Sequence, residues 1–172
     1  LIPARMESKR FPGKPLALIN NIPMVVYCAK NAIATGLDVY VCTDSKEIQT
    51  VCGTYNVRSI LTGIASTGTD RIAQAIKDIH TDYVINLQGD EPLIDTKSLK
   101  LMIGTISILE KTEDKIITGI SSADFHEACD PNNVKCAFVE KHSKVLYFSR
   151  QPLLNNQEEN NSPLYYKQIG LY

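Results

Sequence analysis

Tyr83-Val84-Ile85-Asn86-Leu87-Gln88-Gly89-Asp90-Glu91-Pro92-Leu93-Ile94 is the stretch on which the fold turns. Its first five residues are almost continuously apolar, as expected of a strand in a parallel sheet that is covered on both faces. The strand then runs into glutamine, glycine and two acids. Upstream, residues 70–79 read as a helix, with Ile72, Ala73, Ile76 and Ile79 on one face. Before them come a strand at Arg58–Leu61, a helix at 46–55 that Thr43-Asp44-Ser45 can cap, and an apolar strand at Val39–Cys42. A helix at 24–35 stops at Gly36. Asn20-Asn21 makes a turn, a long polar loop spans Ala4 to Lys14, and Leu1–Pro3 is the tail of a strand. Downstream, Thr96 to Glu110 has a helical pattern with Asp95 as its cap. Strands follow at Ile116–Ser122, Val134–Val139 and Lys144–Phe148, and the polar segment 155–162 reads as an exposed loop. This alternation predicts an α/β fold, a mostly parallel, doubly wound, Rossmann-like sheet in a single domain over residues 1–172. Such a sheet places its site at the carboxyl ends of strands, which here singles out the loops after Pro3, Leu61 and Leu87.

Composition narrows the function. The chain has 172 residues, 44% of them hydrophobic and 22% charged, with a formal net charge of -1, an ordinary globular balance. It has no long basic run of the kind a nucleic-acid binder carries. No apolar run is long enough to span a bilayer. The five cysteines form no CxxC pair, and the three histidines form no HExxH, so neither a zinc ribbon nor an imidazole-built metal site is expected. A soluble cytoplasmic protein is the expectation. The start at Leu1 suggests that the extreme N-terminus is missing.

Three loops carry candidate chemistry. The first, Ile2-Pro3-Ala4-Arg5-Met6-Glu7-Ser8-Lys9-Arg10-Phe11-Pro12-Gly13-Lys14-Pro15, combines two arginines and two lysines with glycine and proline. Arginine grips phosphate oxygens bidentately and lysine adds a point charge, so the loop reads either as a polyphosphate wrap or as a solvated basic loop. The second, Thr67-Gly68-Thr69-Asp70-Arg71, opens a helix and suits either a cap or an anion site. The third is Gln88-Gly89-Asp90-Glu91-Pro92. A carboxylate at a strand end is costly unless it is paired or binds a cation. Magnesium takes one or two carboxylates together with phosphate oxygens and water. Asp90 therefore reads either as a Mg²⁺ ligand or as part of an acidic turn before proline.

Taken together, Pro-Ala-Arg with Lys-Arg-Phe-Pro-Gly-Lys-Pro-Leu, Thr-Gly-Thr-Asp-Arg, Gln-Gly-Asp-Glu-Pro, Asp130-Pro131-Asn132-Asn133-Val134-Lys135 with Tyr147-Phe148-Ser149-Arg150, and Tyr166-Lys167-Gln168-Ile169-Gly170-Leu171-Tyr172 resemble the 3-deoxy-manno-octulosonate (Kdo) cytidylyltransferases, within the nucleotide-diphospho-sugar transferases. The resemblance runs through almost the whole chain. It implies transfer of CMP from CTP to the anomeric hydroxyl of a sugar acid, as in lipopolysaccharide synthesis. It implies phosphate roles for Arg5, Arg10 and Lys14, a nucleotide site completed by Pro3, Ala4, Thr67, Gly68 and Arg71, and a Mg²⁺ ligand in Asp90. It also implies sugar contacts from Gln88, Arg150 and Gln168, and a homodimer. Such enzymes continue past Tyr172, where a second acidic metal ligand is expected. Two positions depart from the family pattern: Ala65 and Gln168 stand where histidines are usual. These departures leave 8-amino-Kdo or another acidic sugar open as substrate. An acylneuraminate-type cytidylyltransferase, a glycosyltransferase of similar architecture and a non-catalytic nucleotide-binding module are the rival readings. The glycosyltransferase is disfavoured by the absence of an Asp-x-Asp motif.

Overall fold

In the computed structural model, which describes residues 1–7, 11–111, 116–153 and 165–172, the chain begins with β1 (Ile2–Pro3), the first strand of a three-stranded parallel sheet. A short 3-10 turn at Lys14–Leu16 leads into a hairpin of β2 (Leu18–Ile19) and β3 (Ile22–Pro23). Asn20 and Asn21 make its two-residue turn with φ of 49° and 63°, values that asparagine tolerates and that match the strand twist. Helix α1 (Met24–Ile33) is followed three residues on by Gly36, whose φ is 87°. β4 (Val41–Thr43), α2 (Lys46–Thr54) and β5 (Ser59–Leu61) follow, with β1 and β5 flanking β4 in parallel. Ser45 caps α2 by accepting from the Ile48 N–H at 3.3 Å. α3 (Gly68–Ala75) begins at a capping box, in which Thr67 Oγ1 accepts from Asp70 N–H and Asp70 Oδ2 from Thr67 N–H, each at 3.0 Å.

The segment 83–88 is extended and laddered on both sides. Leu1 N donates to Ile85 O and Leu87 N to Leu1 O, the parallel pattern beside β1. Asn86 exchanges hydrogen bonds with Tyr172 in both directions, and Gln88 N–H donates to Gly170 O. The expected strand at Tyr83–Leu87 is thereby reduced to a bridge between Leu87 and Leu171, because each flanking partner supplies only a few residues. The expected long helix at 96–110 is also corrected. It divides into α4 (Thr96–Gly104) and α5 (Ile106–Leu109). Thr105 turns its hydroxyl and its N–H back onto Met102 O, directly after a glycine, and both residues favour a break.

These elements form one compact unit, Leu1–Ile117 with Gly170–Tyr172. Its core is built from Ile2, Val25, Val26, Val41, Ile48 and Leu87, all at most 2% exposed. The second unit, Thr118–Ile169, holds β6 (Ile120–Ala123), α6 (Phe125–Cys129), β7 (Lys135–Val139), β8 (Lys144–Ser149) and β9 (Tyr165–Gln168). Its four-stranded sheet has the order β6-β9-β7-β8 and is antiparallel throughout. The buried Lys135 donates to Asp130 O and Asn133 O, and Arg150 donates to Pro131 O and Asn132 O. Two cations thus satisfy four successive carbonyls of one loop. The expected loop at 155–162 lies outside the described residues.

Candidate active site

All three loops singled out at strand ends line a single cleft of about 940 Å³ in the first unit. Pro3, Ala4 and Arg5 leave β1 along one wall. Ala65, Thr67, Gly68 and Arg71 lie before and in the first turn of α3, and Gln88, Gly89 and Asp90 follow the central extended segment. Lys14, at the start of the 3-10 turn, reaches across to place Nζ 2.6 Å from Asp90 Oδ2. Both side chains remain accessible, 33% and 49% exposed. A smaller, largely apolar cavity of about 400 Å³ lies between the Thr35–Tyr40 and Ile79–Leu87 segments. It is lined by none of the arginines or lysines of the opening loop.

Close backbone approach shapes the floor of this cleft. A Cβ on Gly89 would sit 2.9 Å from Pro3 O, and one on Gly68 would sit 3.2 Å from Pro3 Cγ. Only glycine lets the three strand-end loops converge here. Beneath the floor, Cys28 Sγ donates to Gly89 O at 3.5 Å. Burial pushes its thiol up to about 12, so it is inert packing.

The charges divide the site. Asp70 already places a carboxylate on the first turn of α3, where it closes the capping box. That satisfies the positive helix end and works against a phosphate there. The cations that suit phosphates are Arg5 and Lys14, on the opposite loop. Asp90 is the carboxylate beside them. No group of three histidine, cysteine or acidic side chains that could hold a metal occurs among the described residues. One accessible carboxylate fits a magnesium ion that takes its remaining ligands from phosphates and water, and does not fit an all-protein cage.

Arg10 lies outside the described residues. Arg150 and Gln168 belong to the second unit, where Arg150 is exposed and Gln168 Nε2 donates to Thr118 Oγ1 at 3.1 Å. Gln88, on the cleft, donates to Asn86 Oδ1 at 3.2 Å. One participant was missed by sequence reasoning. Asp44 stands 2.7 Å from Arg71 Nη2, whereas the Thr43-Asp44-Ser45 string reads as capping residues. Because Ser45 is the actual cap, Asp44 is left for the arginine; an acid at the carboxyl end of an apolar strand was the available signal.

With this geometry in view, a family model for cytidylyltransferases matches residues 1–172, the whole chain. The chain belongs to the cytidylyltransferase family. The cytidylyltransferase is 40% identical to the 8-amino-3,8-dideoxy-manno-octulosonate cytidylyltransferase of Shewanella halifaxensis, over all of this chain and 72% of that protein. It is 36% identical to the 3-deoxy-manno-octulosonate cytidylyltransferase of Chlorobium limicola, over all of this chain and 71% of that protein. It superposes on the solved CMP:2-keto-3-deoxy-manno-octonic acid synthetase complexed with CTP with a TM-score of 0.86 and 29% identity, covering 99% of this chain and 70% of that one. The resemblance read from the sequence, and the nucleotide-diphospho-sugar transferase fold it implied, are both borne out. No helix among the described residues is long and apolar enough to cross a membrane.

Proposed function

We propose that this cytidylyltransferase transfers CMP from CTP to the anomeric hydroxyl of a Kdo-type 3-deoxy-octulosonate. The observation that carries the reading is the Lys14–Asp90 pair. It joins a basic loop suited to a triphosphate to a carboxylate suited to a divalent cation, inside a cleft on the scaffold of a CTP-binding relative. In the reaction the sugar hydroxyl oxygen bonds to the α-phosphorus, the bond from that phosphorus to the bridging oxygen breaks, pyrophosphate leaves and the hydroxyl proton passes to solvent.

The protein's part is positioning and charge neutralisation. Arg5 and Lys14 hold the phosphates, with Arg10 assigned to the same task from its place in the basic loop. The backbone at Pro3 and Ala4, with Thr67 and Gly68 opposite, encloses the nucleoside. Gln88 orients the sugar at the cleft, and Arg150 and Gln168 are assigned to the sugar acid by the family pattern. Mg²⁺ held by Asp90 and the phosphates would stabilise charge at the α-phosphate and acidify the attacking hydroxyl.

A second reading changes only the sugar. Ala65 lines the cleft where the family pattern has histidine, which leaves the sugar open, and the 40% identical relative is an 8-amino-Kdo enzyme, which favours 8-amino-Kdo. Sugar-dependent pyrophosphate release from CTP and Mg²⁺ by the full-length protein tests both readings, with Kdo, 8-amino-Kdo and N-acetylneuraminate offered separately. Release with either octulosonate supports the reaction and names the sugar. Release only with N-acetylneuraminate, or with none, overturns it.

A further inference from the structure

Arg71 is charged yet almost wholly buried, its side chain 3% exposed. Its guanidinium is held from three directions. Nη2 donates to Asp44 Oδ2 at 2.7 Å, and Nη1 donates to Thr62 Oγ1 at 2.6 Å and to Gly63 O at 3.4 Å. Asp44 follows β4, Thr62 follows β5, and Arg71 sits in the opening turns of α3. Thr62 N–H also donates to Thr43 O at 2.8 Å, so the ends of the two strands are themselves tied together. A planar fork with fixed donors sets direction as well as distance, and here it sets where α3 begins. That start matters because Gly68 packs against Pro3 and Gln88, and Thr69 Oγ1 lies 2.8 Å from Tyr172 OH. The Thr67–Gly68 wall of the cleft therefore inherits its position from the arginine, and the arginine from the acid.

We infer that Asp44 is a positioning residue for the nucleotide: through Arg71 it holds the first turn of α3 at the distance from Pro3 and Gln88 that a nucleoside needs. Asp44 touches no reacting group in this account. Its effect falls on nucleotide affinity and leaves the chemical step alone. The inference rests on the reading of this cleft as a CTP site.

The test compares full-length wild type with Asp44→Asn, Thr62→Val and Asp38→Asn. Asp38 makes an exposed ion pair with Arg58 at 2.6 Å, and serves as a control for loss of a carboxylate elsewhere in the same unit. CTP binding is measured by calorimetry without sugar, and KM and kcat are measured with it. Asp44→Asn is expected to weaken CTP about tenfold, the scale of one hydrogen bond to a charged group. Its kcat at saturating CTP and its KM for the sugar should stay near wild type. Thr62→Val, which keeps the ion pair, should weaken CTP by a smaller factor, and Asp38→Asn not at all. Unchanged CTP affinity in Thr62→Val and in a folded Asp44→Asn overturns the inference while the CTP reading stands. So does a fall in kcat at constant CTP affinity, which would place Asp44 in the chemistry. If wild type binds no CTP, the reading of the cleft fails and the inference fails with it.

Discussion

Lys14 Nζ lies 2.6 Å from Asp90 Oδ2, tying the basic opening loop to the turn after the central extended segment. Both partners are accessible, so the pair is worth only about 0–1 kcal/mol and can open readily when a ligand brings both an anion and a cation. Lys14→Met should therefore leave the melting temperature within a few degrees of wild type while weakening CTP by about tenfold or more, since a charge-assisted phosphate contact is worth roughly 1.5–3 kcal/mol. Thermal denaturation with CTP titration checks both halves. A large loss of stability with unchanged CTP affinity would make the lysine a structural brace.

Removal of the carboxylate should act on the other side of the reaction. Asp90→Asn is expected to lower kcat by about a hundredfold or more, the scale of losing one electrostatic contact to a transition state. CTP affinity measured without Mg²⁺ should change little. Weaker CTP binding with kcat unchanged would mean that Asp90 contributes ground-state binding only.

Gly89 and Gly53 offer a paired stability test. A methyl group on Gly89 would meet Pro3 O at 2.9 Å, a backbone atom that cannot swing aside, whereas one on Gly53 in α2 would meet nothing within 4 Å. Gly89→Ala should cost about 1–3 kcal/mol, as overpacking does, and Gly53→Ala should add up to about 1 kcal/mol. Differential scanning calorimetry should show shifts of opposite sign. A tolerated Gly89→Ala would deny the close approach of the strand-end loops.

Thiol reactivity reports on burial in both units. Cys28, Cys42, Cys52 and Cys136 are buried and Cys129 is exposed. Burial raises the thiols of all four buried residues, to about 12 for Cys28 and about 11 for Cys52. Labelling the native protein at pH 8 should modify Cys129 rapidly and the other four only on unfolding. Rapid modification of Cys28 would mean that the cleft floor is open.

Acid should weaken the second unit through Glu127. Its carboxyl lies below its ordinary 4.5, chiefly because Lys167 donates to it and secondly because Asp124 N–H does. A depressed folded value contributes stability that is complete above the unfolded value and is lost as pH falls through the folded one. Glu127→Gln should therefore flatten the pH dependence of unfolding below about pH 4.5 and leave that at neutral pH unaltered in slope. An unchanged acid limb would remove Glu127 from the account.

What was legible in the sequence was local. Glycine, acid and base placed immediately after apolar runs announced the loops at Pro3, Leu61 and Leu87, and these loops line the cleft. What was not legible depends on partners distant in sequence. Asp44 and Arg71 are 27 residues apart, and nothing near Asp44 separates an ion-pair partner from a cap until Ser45 is seen to cap α2. The second unit's strand order places β9, last in sequence, between β6 and β7, which alternation along the chain cannot disclose. The break at Thr105 came from a side chain competing for a helix carbonyl, a choice that hydrophobic periodicity does not register.

The most direct test follows the α-phosphorus of CTP by ³¹P NMR, with the full-length protein, Mg²⁺ and either Kdo or 8-amino-Kdo. The anhydride signal of the α-phosphate should give way to a phosphodiester signal, with one pyrophosphate formed per CTP consumed and no change when the sugar is left out. Loss of CTP without a sugar, or conversion to CMP and phosphate with no diester formed, would contradict CMP transfer to the sugar.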